Sequence, residues 1–138
     1  MRIFIDTSAL LKKYIQEDGC DSLDDILGQS AEIAVSPVTL IEMNSAISKK
    51  LAEKKVSAED VRYFHQELKR DLEYYFRVIW SPELEEKAVE LVRKNSLKSF
   101  DAVKLASGVQ SDSKFFLTSD EKLFKEAKKV LPRVMLVQ

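Results

Sequence analysis

Five short, mostly apolar runs punctuate this chain, at residues 2–5 (RIFI), 32–36 (EIAVS), 77–80 (RVIW), 114–117 (KFFL) and 133–137 (RVMLV). Each is too short for a stable helix and lacks the strict polar alternation of a half-exposed strand, so each reads as a strand buried on both faces. One or two segments of helical spacing stand between each run and the next, and these are the crossovers that parallel strands require. The alternation predicts one α/β domain over residues 1–138, a central parallel five-stranded sheet flanked by helices on both faces. A length of 138 residues suits a single domain, and three glycines and three prolines leave little for linkers.

Local signals set the expected helix boundaries. Residues 7–16 keep Leu10, Leu11, Tyr14 and Ile15 on one face, and a short helix is expected over 22–27. Ser36-Pro37 and Ser81-Pro82 both read as a serine N-cap with proline at the first helical position, opening helices to about 53 and 94. Ser57 and Asp60 resemble a capping box that starts a helix reaching about 75. Ser99 is expected to cap a helix with Ala102, Val103, Leu105, Ala106 and Val109 on its apolar face, and Asp120 to begin one ending near 129.

In parallel sheets the working site lies beyond the carboxyl ends of the strands. Asp6 follows the first strand directly and Asp120 stands just past the fourth; Glu42 and Asp101 sit in the first turns of helices. Each has a bland alternative. Aspartates near helix starts commonly bond free backbone N–H groups, which would account for Asp101 and Asp120 singly. Asp6 resists that reading, because a carboxylate ending an apolar strand is costly to bury without a partner. Glu42 lies beside the apolar face of its helix, where a solvated glutamate would not. If the four converge, each pair within ~5 Å repels by about 3 kcal/mol at an effective dielectric of ~20. Such a cluster must take up protons or a cation, and an all-oxygen, all-acidic donor set suits a hard divalent ion, Mg²⁺ or Mn²⁺.

The runs around these residues, IFIDTSAL, SPVTLIEMNSAI, KSFDAVKLA and FFLTSDEKLF, resemble in order and spacing the motifs of the PIN-domain ribonucleases, especially the VapC-like toxins of prokaryotic toxin–antitoxin pairs. The resemblance spans nearly the whole chain. It implies Asp6, Glu42, Asp101 and Asp120 as metal ligands for Mg²⁺ or Mn²⁺, with Thr7, Ser8 and Ser119 as polar helpers. It implies an endoribonuclease that hydrolyses RNA phosphodiesters to 5′-phosphate and 3′-hydroxyl ends, a homodimer, and a small antitoxin partner covering the active groove. One departure is Lys104, where toxins of this family often carry histidine. The alternatives are a PIN-domain nuclease of RNA processing or decay without an antitoxin, and a catalytically inactive PIN fold used for binding.

His65 is the only histidine, which excludes a metal-free acid–base pair of histidines; it is expected at a surface or packing position. Cys20 is the only cysteine, so no disulfide within the chain and no cysteine zinc site is expected. No run approaches a signal peptide or a membrane span, and a cytoplasmic location with no membrane partner is expected. The formal net charge of −1 runs against nucleic-acid binding. Lys49, Lys50, Lys54, Lys55, Lys69, Arg70, Arg93, Lys94 and Lys98 read either as solvated faces or as a rim touching RNA phosphates; the second would offset it, with the acidic excess gathered in the metal site. The aliphatic residues Leu10, Leu11, Leu23, Ile26 and Leu27 exceed what short helices need and read as a partner surface.

Overall fold

The strands β1 (Arg2–Ile5), β2 (Glu32–Val35), β3 (Phe76–Arg77), β4 (Phe115–Thr118) and β5 (Val134–Leu136) lie side by side, all parallel, in the order β3-β2-β1-β4-β5. The computed structural model describes residues 1–15, 19–28 and 32–138. Among these residues the helices are α1 (Thr7–Leu10), α2 (Cys20–Leu27), α3 (Thr39–Ala52), α4 (Ala58–Leu72), α5 (Pro82–Asn95), α6 (Ser99–Gln110) and α7 (Glu121–Lys128). A 3₁₀ turn, Leu11–Lys13, extends α1.

Because strand side chains alternate between faces, the sheet separates two cores. Ile3, Ile5, Ile33, Val35 and Leu117 face Leu10, Leu23, Met43, Ile47, Phe64 and Leu68, which belong to α1–α4. Phe4, Ala34 and Phe116 face the other way, against Leu84, Leu91, Leu105, Ala106 and Leu123 of α5–α7. The Phe4 and Phe116 rings stack with centroids 5.0 Å apart. Helix α6 approaches this pair closely at Gly108, where a β-carbon would stand 2.8 Å from Phe116 Cδ2.

Several boundaries differ from the sequence reading. The expected helix over 7–16 is a single α turn followed by the 3₁₀ turn, and Gln16 lies outside the described residues. Helix α3 starts at Thr39, not at Pro37. Thr39 Oγ1 lies 3.0 Å from Ser36 Oγ, which also accepts from Val38 N at 3.2 Å, so Ser36-Pro37 forms a turn ahead of the helix. Ser99 is inside α6, whose N-cap is Lys98, with no capping side chain. The capping box is formed: Ser57 Oγ accepts from Asp60 N at 3.0 Å, and Asp60 Oδ2 accepts from Ser57 N at 2.8 Å. Strand β3 is an edge strand of two residues, because the chain leaves the sheet after Val78 N donates to Val35 O; Ile79 and Trp80 are exposed. The aliphatic residues assigned to a partner surface belong to the core instead: Leu10, Leu11 and Leu23 are buried, and Ile26 and Leu27 pack against the same cluster.

The strand order fixes where a site can form. The chain runs from β1 outward to β2 and β3, then returns on the other side of β1 as β4. The segments leaving β1 and β4 therefore depart toward opposite faces and open a crevice at their carboxyl ends. Asp6 and the run Thr118–Asp120 stand at that point.

Candidate active site

Asp6 is 1% exposed. It caps the first turn of α1, its Oδ1 accepting from Ala9 N at 3.2 Å. Two hydroxyl relays hold its carboxylate. Ser119 N donates to Ser8 Oγ (2.9 Å), which donates to Asp6 Oδ1 (2.7 Å). Asp120 N donates to Thr118 Oγ1 (3.0 Å), which donates to Asp6 Oδ2 (2.9 Å). The loop after β4 is thus fastened through both oxygens of a residue from β1. Burial pushes the Asp6 carboxyl up to about 6, although the charge of Lys104 and the donors Ser8, Ala9 and Thr118 all pull it down.

Glu42 and Asp101 meet around Lys104. The Lys104 ammonium lies 3.3 Å from Glu42 Oε2 and 3.2 Å from Asp101 Oδ1, and its side chain is 8% exposed. Burial alone would lower this lysine, but Asp6, Glu42 and Asp101 together outweigh it and hold the ammonium above its ordinary value. Thr7 Oγ1 donates to Glu42 Oε1 at 2.8 Å, so both oxygens of Glu42 are engaged. Asp120 is exposed and N-caps α7, its Oδ1 accepting from Lys122 N (2.9 Å) and Leu123 N (3.1 Å). Ser119 Oγ is buried and has no hydrogen-bond partner among the described residues.

Asp6, Ser8, Glu42, Lys104 and Asp120 line one open groove of about 520 Å³, rimmed by Ile41 and Phe100. Asp101 reaches it through Lys104. A larger depression of about 610 Å³ lies along α5, but every residue lining it comes from that helix, so it is a crease between exposed side chains. Of the expected basic rim, Lys55, Arg70 and Lys94 pair with the nearby Glu53, Glu67 and Glu90, while Lys49 lines the groove. His65 is exposed and edges the Phe64 ring.

The donor set is all oxygen, as a hard divalent ion requires. Yet among the described residues no group of three or more acidic, histidine or cysteine side chains is placed to hold a metal. The physical reason is Lys104, whose ammonium already occupies the space between two of the four expected ligands. The fit is to a hydrated ion held by one or two carboxylates, the usual habit of Mg²⁺, and not to a closed protein cage. The roles of two residues in holding the acids were not anticipated from the sequence. Thr118 ends a strand and reads as its last β-branched residue, though the T-x-D run contains it. Lys104 reads as an ordinary helix lysine until α3 and β1 close around it.

The model of the PIN domain matches residues 3–130. The chain belongs to the PIN-domain family. Among solved structures, this PIN domain is similar to a toxin–antitoxin complex from Klebsiella pneumoniae, with 18% identity, TM-score 0.71, and 99% of this chain and 98% of that one covered. It is similar to VapBC2 from Rickettsia felis, crystallised with a DNA fragment from its promoter, at 15% identity, TM-score 0.70 and full coverage of both chains. PAE2754 from Pyrobaculum aerophilum gives 20% identity and TM-score 0.66 over 95% of this chain and 91% of that one. At these identities the likeness is one of fold. No curated protein matches the chain. Among the described residues of the PIN domain, no helix is long and apolar enough to cross a membrane.

Proposed function

We propose that this PIN domain is a Mg²⁺- or Mn²⁺-dependent endoribonuclease and the toxin of a toxin–antitoxin pair. The observation that carries the reading is Asp6: a buried carboxylate, clamped through both oxygens at the strand-order reversal, facing a groove shared with Glu42 and Asp120. Membership of a family whose members are generally nucleases supports hydrolysis of phosphodiesters. The toxin–antitoxin complexes among the structures of like fold support the antitoxin partner. RNA as substrate, and a second copy of the chain as partner, follow the resemblance of the motifs.

In this reading Asp6 and Asp120 hold the ion, with Glu42 and Asp101 completing its acidic surroundings. When bound, such an ion neutralises the non-bridging oxygens of the phosphodiester and acidifies water. Ser8 and Thr118 fix the orientation of Asp6. Ser119 Oγ, buried and without a hydrogen-bond partner among the described residues, would meet a phosphate oxygen or a water only after its side chain turns toward the groove. Water adds to phosphorus in line with the 3′ oxygen; the P–O3′ bond breaks, leaving a 3′-hydroxyl and a 5′-phosphate.

The test is cleavage of single-stranded RNA with Mg²⁺ or Mn²⁺ by wild type and Asp6→Asn. Wild type is expected to give 5′-phosphate ends, with activity lost in EDTA and reduced at least about a hundredfold by the substitution. Equal cleavage by both proteins would remove Asp6 and this reading with it. One observation favours a second reading, a PIN fold used only for binding: Lys104 already compensates two of the acids. Absence of metal-stimulated cleavage in wild type would select it.

A further inference from the structure

Lys104 is a buried charged group of the groove whose position the proposed reaction does not use. Its ammonium is buried, within 3.3 Å of Glu42 Oε2 and 3.2 Å of Asp101 Oδ1. A divalent ion held through those same two oxygens would come within about 6 Å of the ammonium, since cation–oxygen distances are only ~2.1–2.6 Å. Two cations that close in a low-dielectric pocket repel strongly. On the opposite side, Asp6 and Asp120 present carboxylates whose donors are neutral hydroxyls and backbone N–H groups. Asp120 Oδ2 has no hydrogen-bond donor among the described residues. The site is therefore uneven: Lys104 pairs directly with Glu42 and Asp101, while among the described residues Asp6 and Asp120 have no direct ion pair, although the Lys104 charge also reaches Asp6.

We propose that Lys104 is a built-in cation standing where a second divalent ion would sit, so that this chain takes up a single ion, on the Asp6–Asp120 side. The inference rests on the metal-dependent reading of the site. Lys104 is then a positioning residue: its ion pairs with Glu42 and Asp101 fix where those two carboxylates sit beside the groove, without touching the reacting atoms.

The experiment is a count of Mn²⁺ bound per chain, read from the loss of the free-ion paramagnetic resonance signal, on metal-free wild type, Lys104→Gln, Lys104→Met and Lys104→Arg. Wild type and Lys104→Arg are expected to bind one ion. Lys104→Gln and Lys104→Met are expected to bind two, with the first held roughly ten- to a hundredfold more tightly than in wild type. A lysine serving only as a structural ion pair would not change the count. The same number and affinity in wild type and Lys104→Gln would overturn the proposal. So would two ions, or none, in wild type, and that count decides the matter even if the uncharged variants fail to fold. RNA cleavage by the same samples separates the two readings. One ion without cleavage keeps the assignment of Lys104 and removes the nuclease. Cleavage with two ions in wild type does the reverse.

Discussion

Asp6 carries an acid where water does not reach. Its folded carboxyl titrates at about 6 against 3.8 for the free side chain, with burial the dominant cause. The folded state thus binds the proton more tightly than the unfolded one. The contribution of Asp6 to stability is greatest below pH ~4, declines as pH rises toward ~6, and is constant above, a loss on the order of 3 kcal/mol. Chemical denaturation of metal-free protein across that window is expected to show this decline in wild type and a flatter profile in Asp6→Asn. An equal slope in both would mean that another group is responsible. Asp6 was legible in the sequence because an acid ending an apolar strand is anomalous on its face. Lys104 was visible only as a departure from a motif. A lysine three residues after Asp101 looks like a surface helix pair, and its burial depends on β1 and α3 closing over it, which no local pattern encodes.

Elements announced themselves in the sequence to the degree that their ends are decided locally. Ser81-Pro82 opens α5 as its residues dictate, with Ser81 Oγ accepting from Leu84 N at 3.1 Å. The same dipeptide at Ser36-Pro37 does not open α3, because Thr39 Oγ1 takes both the backbone N–H and the hydroxyl of Ser36. The difference lies in a third residue, not in the pair. Strand β3 was read too long for another reason: RVIW has the composition of a strand, but an edge position lets Ile79 and Trp80 turn out to solvent. The contact between α6 and β4 is equally invisible from composition. A methyl group at Gly108 would collide with the Phe116 ring, already stacked on Phe4. Gly108→Ala is therefore expected to destabilise the protein by about 1–3 kcal/mol, measured by urea unfolding, although alanine is the better helix former. A gain in stability would mean that the ring can move aside without cost.

Across the whole molecule, the parallel five-stranded sheet and its two helical layers followed from the alternation of runs alone, whereas the division of labour among the acids did not. The four carboxylates were read as equal ligands; the fold pairs Glu42 and Asp101 directly with Lys104, whose charge also reaches Asp6, and engages Asp6 and Asp120 through hydroxyl and backbone donors. An ion binding only the folded state stabilises it by mass action. Mn²⁺ at a hundred times its dissociation constant is expected to add about 2.7 kcal/mol to wild type at pH 7, read as a rise in unfolding midpoint. Asp6→Asn is expected to gain little, and an equal gain there would locate the ion elsewhere. Of the aliphatic residues expected at a partner surface on α1 and α2, Leu10, Leu11 and Leu23 are spent in the core and Ile26 and Leu27 are partly so.

The two clasps on Asp6 bind positions more than a hundred residues apart: its second oxygen waits for Thr118, and Ser8 for the backbone of Ser119. A ribosome reading this message therefore carries a chain whose Asp6 stays without either clasp until most of the translation run is behind it.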